Sequence, residues 1–243
     1  MAQRQLPRAF ATLTLMLIYA HRGASADFPE LTETAYNAAI DQGADGFECD
    51  LRLTRDEVPV LWHNASMLER AGNHGLIAEM NFAEVQRAYP QILTLDNFLD
   101  IAIAADKGVL IETKHPVISG NRVEEILVKK IQERKVLSKL SLSVMSFSWT
   151  AIEKVKRLDA TIPTTFLMTS RTLWPQVRFS SAPAIGPGIN AVRAKPELVA
   201  GLQKLGKSVS VWTVDLAHDI ELCKELGVEI LITNTPAHAR TFL

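Results

Sequence analysis

Apolar runs that end abruptly in polar residues recur along the chain at 15–22, 46–54, 108–114, 142–147, 164–169, 184–192, 208–215 and 229–234, and each predicts a buried strand. Between them, 31–42, 95–107, 122–134, 150–158, 196–204 and 219–226 place apolar residues at helical spacing, which predicts amphipathic helices lying on those strands. The second run continues through Arg52-Leu53-Thr54, turns at Arg55-Asp56-Glu57 and comes back as Val58-Pro59-Val60-Leu61-Trp62-His63. That is a strand, a turn and a returning strand. With the return counted as a hairpin arm, about eight β-then-α units remain. In a chain of 243 residues this predicts an α/β fold, one (β/α)8 TIM barrel forming a single domain over 1–243. The stretch 64–93 departs furthest from simple alternation and predicts a small insertion after the second-strand hairpin, above the barrel mouth. Its Met67, Leu68, Ile77, Met80, Phe82 and Tyr89 imply that it packs rather than floats.

In such a barrel every strand end opens on one face, where sites are built. Three polar clusters fall at those ends: His21-Arg22-Gly23, Glu48-Cys49-Asp50 with His63 beyond, and Glu112-Thr113-Lys114. Side chains alternate along a strand, so Glu48 and Asp50 share one face, as do Glu112 and Lys114. Antiparallel pairing about the turn places His63 roughly opposite Asp50. The three carboxylates are all-oxygen ligands suited to a hard ion such as Mg²⁺ or Ca²⁺, and the absence of a thiolate or multi-histidine set argues against zinc. Arg22 offers a planar fork of positive charge and Lys114 a point charge. His21 and His63 alone in the group titrate near neutrality, which makes them the acid/base pair by elimination. Cations for the non-bridging oxygens, a divalent metal and a proton for the departing alkoxide are what cleavage of a phosphodiester demands.

Composition narrows the remaining classes. Hydrophobic residues make up 47% of the chain and the formal net charge is −1, without the basic stripe or basic-aromatic interleaving expected of a nucleic-acid partner. Cys49 alternates away from the acids and reads as a small core residue; with Cys223 it forms neither a disulfide framework nor a zinc knuckle. His74, His218 and His238 read as solvated, and His115, on the opposite face from Lys114, as a brace at most. Arg4 and Arg8 precede an apolar run from Phe10 to Tyr19 that mimics a secretory signal. The run flows directly into His21, however, so a structural strand behind a short basic leader is the reading. It implies a cytoplasmic protein, with secretion the alternative, and no stable membrane insertion. The oligomeric state stays open.

The ordered motifs His-Arg-Gly-Ala-Ser, Pro29-Glu30, Gly-Ala-Asp-Gly-Phe-Glu-Cys-Asp, Pro-Val-Leu-Trp-His, Ile-Glu-Thr-Lys-His-Pro, Ser146-Phe147, Val-Trp-Thr-Val-Asp and Thr-Asn-Thr-Pro resemble the glycerophosphodiester phosphodiesterase family from about Tyr19 onward. The resemblance implies catalytic roles for His21 and His63, phosphate binding by Arg22 and Lys114, metal binding by Glu48, Asp50 and Glu112, and a place for Trp212 beside the glycerol moiety. It implies metal-dependent hydrolysis of small glycerophosphodiesters, such as glycerophosphocholine or glycerophosphoethanolamine, to glycerol 3-phosphate and an alcohol. Three positions depart from the family pattern. Leu31 follows Pro29-Glu30 where an asparagine is usual, Asn64 follows His63 where an aspartate is usual, and Asp56-Glu57 stands where Asp-Gly is common, which asks Glu57 for a positive φ or the turn for a different type. Two other functions compete. One is a lysophospholipase D-type lipid enzyme with a greasy rim drawn from Trp174, Phe179 and 183–187; the other is a non-catalytic binder of glycerol phosphates.

Overall fold

A computed structural model of the chain describes residues 16–243. Arg4, Arg8 and the start of the apolar run at Phe10 lie outside the described residues. Nine strands are defined there: β1 (Leu17–His21), β2 (Gly46–Leu53), β3 (Pro59–Leu61), β4 (Gly108–Thr113), β5 (Leu142–Ser146), β6 (Thr164–Met168), β7 (Ala184–Pro187), β8 (Ser208–Val211) and β9 (Ile230–Thr233). All but β3 pair in parallel, in the order β1-β9-β8-β7-β6-β5-β4-β2, and β1 also pairs with β2. The sheet therefore closes on itself as the expected eight-stranded barrel, with β3 added antiparallel on the outer end of β2.

Helices wrap the outside: α1 (Glu33–Asp41), α2 (Leu68–Ala71), α3 (Phe82–Ala88), α4 (Leu95–Ala104), α5 (Arg122–Glu133), α6 (Trp149–Leu158), α7 (Trp174–Phe179), α8 (Ile189–Ala194), α9 (Glu197–Lys204), α10 (Ala217–Glu225) and α11 (Pro236–Arg240). Side-chain caps fix several starts where the sequence supplies a hydroxyl: Thr32, Thr94 and Ser148 accept from the backbone N–H three residues on, satisfying an otherwise orphaned donor. Among the described residues no helix is long and apolar enough to cross a membrane.

Two expectations need correction. The run 184–192 is not one strand: β7 stops at Pro187, and α8 begins at Ile189 after Gly188. The proline lacks an N–H to carry a ladder onward, and Ile189 and Val192, three apart, are buried as one helical face instead. In the hairpin, Leu51 pairs with Leu61 and Trp62 N–H donates to the Asp50 carbonyl at 2.9 Å, so Trp62 rather than His63 stands opposite Asp50. His63 comes one residue later, where the chain has already left the strand.

Alternation along the strands divides the core in two. Outward residues such as Phe47, Cys49 and Leu51 pack under α1, α4 and α5. The inward set, Tyr19, Leu110, Met145, Leu167 and Ile232, fills the barrel. Tyr19 lies at the floor, and Gly46 and Gly108 make room for it: a Cβ on Gly46 would come within 2.3 Å of the ring and one on Gly108 within 2.2 Å of the hydroxyl. The insertion packs on its own small core of Val60, Trp62, Met67, Ile77, Val85 and Ile92, with Met80, Phe82 and Tyr89 against it. Leu68 is the exception, 46% exposed. Glu57 adopts φ 60°, so the turn keeps its shape and strains the glutamate.

Candidate active site

The upper ends of β1, β2, β4, β5, β6, β8 and β9 surround a cavity of about 180 Å³ lined by His21, Arg22, Glu48, His63, Glu112, Lys114, Met145, Phe147, Leu167, Trp212, Thr213 and Ile232. Eight of the expected residues meet at this mouth: seven line the cavity, and Asp50 lies beneath it, 2.8 Å from Arg22 Nε and 3.1 Å from Lys114 Nζ. Trp174 and Phe179, the proposed greasy rim, are 46% and 70% exposed and do not line it. Trp212 Nε1 donates to the Gly186 carbonyl at 2.8 Å, and its ring meets Phe147 edge-on with centroids 5.3 Å apart, so the indole is held upright as one wall.

The sharp turn after β1 aims the first cluster. Arg22 takes φ 61° and Gly23 φ 85°; a Cβ on Gly23 would lie 2.7 Å from Ala35 in α1, so this close approach requires glycine. The Arg22 carbonyl accepts from Leu31 N–H at 2.9 Å, and Leu31, with φ 60°, is buried. Arg22 Nη1 donates to both oxygens of Glu30 at 3.0 and 2.9 Å. Its Nε contact with Asp50 Oδ2 is close but not aligned as a hydrogen bond, and both atoms are otherwise without a partner.

Glu48, Asp50 and Glu112 are buried, and they offer carboxylate oxygens that all lie within 4.8 Å of one another. Lys114 Nζ bridges Asp50 at 3.1 Å and Glu112 at 2.8 Å. Burial resists ionisation of Asp50, but Lys114 and Arg22 outweigh it and hold this carboxyl below its ordinary range. At the other two the same cations act but do not outweigh burial. Burial and then the Asp50 charge push Glu48 well up and Glu112 up to about 7. Ionised together, three buried acids against these two cations leave negative charge in excess, and Asp50 Oδ2, though ion-paired with Arg22, accepts no hydrogen bond. Such a donor set fits a hard divalent cation, whose charge removes the excess and restores ionisation.

Each histidine is oriented by an asparagine. His21 Nδ1 meets Asn234 Oδ1 at 2.7 Å; Asn234 Nδ2 donates to Asp215 Oδ2 at 2.7 Å, which fixes the amide's orientation and makes Nδ1 the donor. His21 Nε2 is thereby left bare, 3.9 Å from Glu48. Burial and then Arg22 lower this imidazole to about 4. His63 Nδ1 meets Asn64 Oδ1 at 2.8 Å, and burial lowers its pKa as well. Arg52 fixes the backbone here, donating twice to the His63 carbonyl at 3.0 and 2.7 Å.

The remaining histidines behave as expected. His115 pairs with buried Glu124 at 2.7 Å, and His74, His218 and His238 are exposed. Asn234 and Asp215 are the additions that strand-end reasoning missed, although both sit in motifs that the sequence displays. Glu30, Arg70 and Glu69 are further additions. Arg70 pairs with Glu30, and nothing in the sequence marks that pairing.

The profile of the glycerophosphoryl diester phosphodiesterase family matches residues 21–238. A probable glycerophosphodiester phosphodiesterase 1 of Mycobacterium tuberculosis is 33% identical to this chain, covering 93% of it and 92% of its own length. The glycerophosphodiester phosphodiesterase of Caldanaerobacter subterraneus is 29% identical, covering 90% and 94%. Among solved structures, the enzyme of that name from Thermotoga maritima superposes with a TM-score of 0.81 at 18% identity, covering 94% and 98%. A phosphodiesterase of Oleispira antarctica, solved with the product sn-glycerol-3-phosphate, gives 0.83 at 19%, covering 93% and 95%.

Proposed function

The chain belongs to the glycerophosphoryl diester phosphodiesterase family, and from that premise we propose that it hydrolyses a small glycerophosphodiester, of the glycerophosphocholine or glycerophosphoethanolamine kind, in a divalent-metal-dependent reaction that yields sn-glycerol 3-phosphate and the free alcohol. The observation that carries this reading is the convergence of two neutral histidines, two cations and three carboxylates on one cavity. The product bound to the Oleispira relative is of the same chemistry. Residues 1–243 are read as one domain with an insertion at 64–93.

Glu48, Asp50 and Glu112 would hold the metal, Mg²⁺ or Ca²⁺. When bound it supplies Lewis-acid charge at the phosphoryl oxygens and the hydroxyls near them, worth several kcal/mol of transition-state stabilisation in comparable sites. Arg22 and Lys114 face the same oxygens with fixed positive charge, already oriented by Glu30 and Asp50, so little reorganisation accompanies charge development. His21 and His63 each hold a proton on Nδ1 and bare Nε2. One takes the proton of the attacking hydroxyl, from water or from the glycerol 2-hydroxyl, and the other, once protonated, passes a proton to the leaving alkoxide. Trp212 covers the glycerol carbons. A second cavity, lined by Ala65, Ile77 and Ala78 of the insertion and by Arg52 and Val117, shares Lys114 with the first, and receives the alcohol moiety in this reading.

The test is release of glycerol 3-phosphate from glycerophosphocholine after chelation and after return of Mg²⁺ or Ca²⁺, with His63→Ala and His21→Ala alongside. Metal-dependent release that both substitutions abolish, in folded protein, is the expected result. Release that survives both substitutions would overturn the assignment of the pair.

A further inference from the structure

The position after His63 is an asparagine, so His63 lacks a carboxylate directly on its ring. The carboxylate it does have comes from the insertion. Asn64 Oδ1 accepts from His63 Nδ1 at 2.8 Å, while Asn64 Nδ2 donates to Glu69 in α2. An ionised carboxylate only accepts, so the amide edge that faces Glu69 must be the NH₂ and the edge that faces the ring the oxygen; Glu69 thereby decides which way Asn64 points and hence which nitrogen of His63 carries the proton. The arrangement around His21 has the same form, with Asn234 as the amide and Asp215 as the carboxylate. Two unrelated segments thus reach one solution, an amide interposed between imidazole and acid.

We infer that Glu69 is a positioning residue for the reaction: through Asn64 it fixes the His63 tautomer with Nε2 bare toward the cavity and supports the imidazolium through which His63 passes in either of its roles. This rests on reading His63 as one of the acid/base pair. The charged groups facing His63 are Asp50 from β2, Lys114 beyond β4 and Arg22 beyond β1, with Arg52 on its carbonyl. Glu69 reaches the ring through Asn64. The neighbouring residue strengthens the placement, because Arg70 pairs with Glu30, stacks over Trp62 at 5.4 Å and so pins α2 beside the site.

The experiment measures glycerol 3-phosphate release from glycerophosphocholine against pH, with saturating Mg²⁺, for the parent, Glu69→Ala, Asn64→Asp, the double variant and His63→Ala, and checks each by melting. Glu69 is exposed and its bond competes with water, so Glu69→Ala should lower kcat by about fivefold with KM unchanged and the pH profile displaced. Asn64→Asp puts two carboxylates against each other and is also impaired, whereas the double variant has a single carboxylate directly on the ring and recovers activity over Glu69→Ala. A Glu69→Ala enzyme with parental kcat and pH profile, or a folded double variant no better than Glu69→Ala, overturns the inference. An active His63→Ala enzyme instead overturns the acid/base assignment beneath it.

Discussion

Replacing Glu112 by glutamine should stabilise the metal-free protein at alkaline pH and remove much of the stabilisation that a divalent ion gives. In the folded chain the Glu112 carboxyl is pushed up to about 7, chiefly by burial and then by Asp50, from an ordinary 4.5. Between those two values the unfolded chain has already released the proton that the folded chain keeps. Stability therefore falls as pH rises from about 4.5 to about 7 and stays low above that. At roughly 1.4 kcal/mol per pH unit, the ionised Glu112 costs about 3 kcal/mol at pH 8. Glutamine keeps the acceptor for Lys114 and sheds the charge. In a domain of this size 3 kcal/mol corresponds to roughly 6–12 °C in melting temperature. Melting followed by circular dichroism in EDTA at pH 5 and pH 8, and again with Mg²⁺ or Ca²⁺, reads the effect. The parent should lose stability from pH 5 to 8 in EDTA and regain it with metal; Glu112→Gln should be higher than the parent at pH 8 in EDTA and respond less to metal. A variant that melts at or below the parent in EDTA at pH 8 refutes the claim that these acids carry uncompensated charge.

His21 titrates with the opposite sign. Its folded value, near 4, lies below the ordinary 6.5, so the unfolded chain binds the extra proton between them; the stability tied to its neutral form is full above 6.5 and is lost as pH falls toward 4, and His21→Gln should flatten that acid-side decline in a pH series of melts. Gly46→Ala drives a Cβ to 2.3 Å from the Tyr19 ring and 2.6 Å from the Gly108 carbonyl, and should cost about 3 kcal/mol in denaturant titrations, part of it returned by adding Tyr19→Leu; a neutral Gly46→Ala would show that the barrel floor yields. Ala65→Trp should raise KM for glycerophosphocholine more than for glycerophosphoethanolamine, and equal effects on both would remove the second cavity from alcohol recognition.

The barrel and the clustering of its site were legible because both follow from alternation. Once Glu48, Asp50, Glu112 and Lys114 are placed on strands, their common face and common end follow from a period of two, and Tyr19, two residues before His21, falls on that face as well. What alternation could not show was where a chain stops obeying it. The apolar run through Pro187 and Ile189 changes from strand to helix with its hydrophobicity unbroken, and His63 enters the cavity from beyond the hairpin rather than by cross-strand pairing. The partners of the histidines were hidden differently. Asn234 is 213 residues from His21 in sequence, and they become neighbours only because β9 closes the barrel on β1. Glu30 and Arg70 meet through an insertion whose path no periodic pattern specifies.

The plug that Tyr19 forms with Leu110, Met145, Leu167 and Ile232 makes the barrel a vessel with one opening. Nothing leaves through the floor, so the fragment seated deeper waits for the one seated above it. On the proposed placement of the glycerol phosphate against Arg22, Lys114 and Trp212 and of the alcohol toward the insertion, the expected order of release is the alcohol first and glycerol 3-phosphate last. In that order the retained product would occupy the position that the next substrate needs, and inhibition by glycerol 3-phosphate that competes with substrate is the expected consequence.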